Sequence, residues 1–102
     1  MISVIAIDGP KLTHVGDTLV IKCSATYIGV AGIDWFFQGY LLQSDTDDGI
    51  RITERFSSVS KTIHSTLEIE KADIGNSGTY TCRSADKYVK EYRVTVLSDG
   101  KI

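Results

Sequence analysis

Residues 76–82 read Asn76-Ser77-Gly78-Thr79-Tyr80-Thr81-Cys82, and the alternation that begins here runs through most of the chain. Tyr80, Cys82 and Ser84 fall on one face of an extended segment, because successive strand side chains point to opposite sides. The stretch opens within a corner, Ala72–Gly78. Upstream, Leu19, Ile21 and Cys23 alternate with Val20, Lys22 and Ser24, and Ile33, Trp35 and Phe37 alternate with Asp34, Phe36 and Gln38. Downstream, Tyr92, Val94 and Val96 alternate with Arg93 and Thr95. Ile50–Phe56 and Thr62–Ile69 read as two further strands, the second with Ile63, Leu67 and Ile69 on one side. A short apolar run, Ser3–Ile7, stops at the turn signal Asp8-Gly9-Pro10. Gly16-Asp17 and Asp86-Lys87 read as turns, Ala25–Gly32 as a loop, and Ser44–Gly49 as an acidic loop. Gly39 opens a turn into Tyr40–Gln43. Seven or eight short strands punctuated in this way suggest an all-β sandwich or barrel. Leu67–Ile74 also fits a helical stripe. Its marginal length and the β-branched residues before it favour a strand.

The chain has 102 residues, enough for one core and too few for two. A hydrophobic share of 42% and a charged share of 24% are ordinary for a folded domain, and one proline with no low-complexity tract argues against disorder. The formal charge of −2 has the wrong sign for nucleic acid or an anionic membrane surface. No apolar run is long enough to insert in a bilayer as a helix. Met1–Leu12 lacks the basic and apolar regions of a signal peptide. The strand pattern starts almost at Met1, as expected of a start residue added to a fragment of a longer protein. On that expectation residues 1–102 form a single domain, and the missing leader says nothing of the parent's compartment.

Two cysteines, Cys23 and Cys82, can be a disulfide, a pair of buried thiols or half a metal site. Their surroundings carry the choice. Trp35 stands twelve residues after Cys23, and Tyr80 two residues before Cys82. In this order and on these faces, the three features resemble the immunoglobulin superfamily over nearly the whole chain. The resemblance implies a two-sheet antiparallel Greek-key sandwich with Cys23 and Cys82 bonded between sheets about 10 Å apart. It implies Trp35 covering the sulfurs, the Tyr80 hydroxyl bonded to the backbone of the corner, and Leu19, Ile21, Phe37, Leu67, Ile69, Val94 and Val96 completing the core. The bond would close a loop of about 60 residues, worth roughly 4 kcal/mol in the chain-entropy account. The short step between the cysteines resembles the intermediate set. One departure stands out: family members usually carry Asp where Asn76 stands, paired with an arginine. Arg51 and Arg55 are placed for that role, and Asn76 would reduce the pair to a neutral hydrogen bond.

A narrower resemblance rests on the runs GPKLTHVGDTLVIKC, IDWFF and STLEIEKADIGNSGTYTC with a tail VLSDGKI. It is to the second domain of invertebrate neuronal two-immunoglobulin surface proteins, the defective proboscis extension response and zwei-Ig families.

The chemistry-bearing residues point away from catalysis. His14 and His64 sit in separate segments, outside any hydrolase or metalloprotease motif. Asp45, Asp47, Asp48 and Gly49 open like a calcium loop, but the twelfth position is Phe56 rather than a bidentate glutamate. Asn76 is the only asparagine, and Gly78 denies it a glycosylation sequon. No cofactor is implied. What remains is a partner surface. Period-two logic turns Phe36, Arg83 and Arg93 outward, and with Tyr40 and Tyr88 they form a candidate aromatic–arginine patch. The loop Tyr27-Ile28-Gly29-Val30-Ala31 is apolar for a solvated tip, so Tyr27 and Ile28 are candidates for contact with a partner or an adjacent domain. The expected function is a recognition, adhesion or spacer module of an extracellular or cell-surface protein, with a homophilic or heterophilic protein partner. The alternative is a structural spacer in a cytoplasmic sarcomere protein, where similar intermediate-set domains occur in arrays and the thiols would be free.

Overall fold

The computed structural model describes residues 4–98. Ser3, read above as the start of a strand, and the tail beyond Ser98 lie outside them. Nine strands run in the order β1 (Ile5–Asp8), β2 (Leu12–His14), β3 (Leu19–Thr26), β4 (Ile33–Phe37), β5 (Tyr40–Leu42), β6 (Ile50–Ser57), β7 (Thr62–Ile69), β8 (Gly78–Ser84) and β9 (Val89–Leu97). They form two sheets, β1-β3-β7-β6 and β2-β9-β8-β4-β5. The ninth strand arises because the first apolar segment divides. β1 pairs antiparallel with β3 in one sheet, and beyond Pro10 the chain crosses to pair β2 parallel with β9 in the other. Proline has no amide to offer a ladder, so the crossing falls where pairing must lapse. The Tyr92 hydroxyl donates to the Gly9 carbonyl and ties the crossing to β9.

The inward rows meet at the staple. Cys23 on β3 and Cys82 on β8 are disulfide-bonded, their Cα atoms 6.5 Å apart. Trp35 lies opposite Cys82 in one ladder, and Ser65 opposite Cys23 in the other. The Trp35 indole N–H donates to the Ser65 hydroxyl at 2.8 Å, which in turn donates to the Thr53 carbonyl at 3.1 Å. The indole therefore spans the gap beside the sulfurs, with its polar edge satisfied. Leu19, Ile21, Leu67, Ile69, Val94 and Val96 are buried around it. Each fully buried aliphatic side chain of this kind contributes about 1.5–3 kcal/mol. Phe37, expected among them, is half-buried: it ends β4, where the sandwich gives out, and its ring lies 4.7 Å from that of Tyr80.

The corner between β7 and β8 is a short 3-10 turn, Ile74–Asn76, and no helix extends over Leu67–Ile74. The Tyr80 hydroxyl donates to the Asn76 carbonyl at 2.6 Å. Burial pushes the Tyr80 phenol up to about 12, so it keeps its donor proton at neutral pH. The expected bond from Arg51 or Arg55 to Asn76 is not formed. The Asn76 side chain instead caps the turn, accepting from the Asp73 N–H at 2.7 Å. Arg51 stands directly opposite Glu68 on the outer face and pairs with it at 3.8 Å. Gly78 follows at φ 151°, and a Cβ there would fall 2.6 Å from the Gln38 side-chain oxygen.

Candidate partner-binding face

The outer face of the five-stranded sheet is built by cross-strand register. Phe36 on β4 lies opposite Thr81 on β8, and Asp34 opposite Arg83. Thr79 lies opposite Arg93 on β9. Between β4 and β5 the loop is Gln38-Gly39, with φ values of 51° and 87°. Two residues at positive φ form the type I′ turn that matches the twist of a hairpin, and it fixes Phe37 against Tyr40 and Phe36 against Leu41.

These registers sort the candidate residues. The Arg83 guanidinium lies over the Phe36 ring, 4.8 Å from its centroid, and is held from behind by Asp34 at 3.1 Å. Such a cation–π contact contributes about 0.5–1 kcal/mol when exposed, and an exposed ion pair at most about 1. The stack matters more for posture than for stability. It fixes an aromatic ring and an arginine, both half-exposed, in one arrangement on an open sheet face. Arg93 shares the face, its guanidinium 3.4 Å from the Thr79 hydroxyl. Tyr40 does not: standing opposite Phe37, it projects on the inner side at the sheet margin, where it is 79% exposed. Tyr88 sits apart in the β8–β9 turn, its N–H donating to the Ser84 hydroxyl. Leu41, exposed and opposite Phe36, is the residue missed in Tyr40's place. The signal for it was the two-residue loop, which sets the pairing by length.

Tyr27 does not belong to an exposed 27–31 loop, as the sequence suggests. β3 continues through Thr26, so Cys23, Ala25 and Tyr27 extend one inward row, and Tyr27 is buried. Its hydroxyl donates to the Ser57 carbonyl at 3.0 Å, and its ring meets that of Phe56 edge-on at 6.4 Å. Tyr27 is core and offers no surface. Ile28 remains exposed, with its N–H donating to the Asp86 carboxylate at 3.1 Å. A bond from the Ala85 N–H to the Gly32 carbonyl also joins this loop to the β8–β9 turn. The loop is therefore pinned rather than free.

His14 and His64 are exposed on different sheets. Asp45 uses its carboxylate to accept from the Asp47 N–H, opening the short turn Thr46–Asp48. Among the described residues, no three His, Cys, Asp or Glu side chains converge as metal ligands would.

The sequence model of the immunoglobulin I-set domain matches residues 6–97. Platelet-derived growth factor receptor alpha of Rattus norvegicus is 31% identical over 85 residues, which cover 81% of this chain and 7% of the receptor. The chain thus spans a small fraction of the curated relatives it matches. Among solved structures, Dpr2 Ig1-Ig2 in complex with DIP-Theta Ig1-Ig3 superposes with a TM-score of 0.76 at 19% identity, over 95% of this chain and 50% of that one. The titin M10–obscurin-like 1 Ig complex gives a TM-score of 0.68 at 19% identity, over 88% of this chain and 87% of that one. At these identities the structural likenesses speak to the fold alone.

Proposed function

The chain belongs to the immunoglobulin I-set family, and on that premise we propose that it is a non-catalytic recognition module of an extracellular or cell-surface protein. It meets a protein partner through the outer face of its five-stranded sheet. The observation that carries this reading is the Asp34–Arg83–Phe36 stack, which holds an aromatic and an arginine ready on an open face. Residues of these two types, fixed before contact, lose little conformational freedom on binding and anchor protein interfaces. Leu41 extends the patch on one side and Arg93 on the other. The Cys23–Cys82 bond favours an oxidising compartment. The receptor relatives carry a matching segment within a much longer chain. The second reading, a spacer in a sarcomere protein, draws on the likeness to titin domains. It expects free thiols in the protein taken from its native tissue.

The test is a multivalent display of this domain against an array of extracellular domains that includes itself. Phe36→Asp should cut the captured signal at least about tenfold while leaving the thermal midpoint unchanged. Capture that survives the substitution would move the contact off this face, and a collapsed midpoint would show that Phe36 serves the core.

A further inference from the structure

The outer edge of β6 is only half covered. Ile50 exchanges two backbone hydrogen bonds with Asp45, at 2.9 and 2.8 Å. Ser44 covers the next position, its hydroxyl accepting from the Ile52 N–H at 2.9 Å and donating to the Ile52 carbonyl at 3.4 Å. Ile50 and Ile52 therefore aim their backbone groups away from β7. Those directions alternate along a strand, so the N–H and C=O groups of Glu54 and Phe56 point the same way. Among the described residues, no backbone group or side chain bonds them there. A row of unpaired edge groups is a template for another strand.

The side chains along this opening select what can use it. Glu54 stands opposite the buried Ser65, which places its carboxylate on the inner row with Ile52 and Phe56. Arg55 stands opposite His64 on the outer face. Glu54, Arg55 and Phe56 are all exposed, and neither charge joins an ion pair among the described residues. An antiparallel second copy can reach all the open groups only with Glu54 opposite its partner's Phe56 position. That register sets the two Arg55 side chains face to face and the two Glu54 carboxylates diagonally adjacent on one side. Like charges placed so repel.

We propose that Glu54–Phe56 is a docking edge for an extended strand of a different polypeptide. That strand runs antiparallel to β6, with a basic side chain beside Glu54 and an acidic one opposite Arg55. The same two charges turn away a second copy of this chain.

The charge-swapped double variant Glu54→Lys with Arg55→Glu serves as the complementary strand. Alone, it keeps like charges facing across this edge and should not pair through it, as the wild-type chain should not. Mixed in equal amounts, the two should associate at least about tenfold more tightly than either does with itself, read by sedimentation velocity at roughly 100 μM. Amide exchange at residues 54 and 56 of the wild-type chain should slow in the mixture. A mixture that sediments as the sum of its components overturns the proposal, as does protection that appears away from β6. Arg55→Glu alone forms a second, milder pair with the wild type, so a folding failure of the double variant leaves the test intact. Phe36 lies on the other sheet. Phe36→Asp in the wild-type partner should leave this association unchanged, which separates this edge from the recognition face.

Discussion

β7 and β6 are neighbours in one sheet, each eight residues long and antiparallel, yet their inner rows fare differently. On β7, Ile63, Ser65, Leu67 and Ile69 are all buried. On β6, Ile50 and Ile52 are half-buried, and Glu54 and Phe56 on the same row are exposed. β7 has a strand on each side and the Trp35 indole above it. β6 has one neighbour, and the sheet facing it ends at β5, a strand of three residues. Burial in a sandwich is thus set by what lies across the gap as well as by alternation along the strand.

The largest expected effect tests the staple between the sheets. Replacing both Cys23 and Cys82 by alanine should cost about 4 kcal/mol, read as a lowered urea midpoint. A loss below 1 kcal/mol would show that the facing layers hold without it. The next test sets the two strands directly against each other. Leu67→Ala on β7 should cost about 3 kcal/mol and Ile52→Ala on β6 about 1, and equal losses would break the contrast. Ser65→Ala should cost about 2 kcal/mol, because the indole N–H of Trp35 is left buried without its acceptor. Thr53→Ala, on the exposed face of β6 beside it, should change stability by less than about 0.5.

The effect that depends on pH belongs to the corner. The folded state raises the Tyr80 phenol from 10.0 to about 12, so the neutral form is the one favoured on folding. Its contribution is fully present below pH 10 and is lost as pH rises toward 12. Tyr80→Phe should cost about 1 kcal/mol at neutral pH and remove that part of the alkaline decline. An identical decline in the variant would assign it to other groups.

The contrast also separates what was legible in the sequence from what was not. β3, β4, β7 and β8 announce themselves because each lies between two partners, with one face in the core, and strict alternation follows. Phe36, Arg83 and Arg93 were placed by the same parity. Tyr27 reads as a loop residue because Ala25 and Thr26 look like loop residues, whereas the inward row runs on through them. Leu41 lay hidden because its register comes from the Gln38-Gly39 turn rather than from any pattern in β5. The crossing of the first strand at Pro10 and the open margin at Glu54 depend on which strand lies across the gap. A single segment of sequence carries no record of that. Asn76 invited a pairing with arginine, but Arg51 stands opposite Glu68 and the turn itself claims the Asn76 side chain.

Native-state amide exchange, resolved residue by residue, tests most directly the picture of a sealed β7 beside a β6 whose edge opens at Glu54. The Thr53 and Arg55 amides face β7 and should exchange slowly, near the free energy of global unfolding, while those of Glu54 and Phe56 exchange almost as in an open chain. Uniform protection along residues 53–56 would contradict the open edge, and uniform exposure would contradict the ladder that joins β6 to the core.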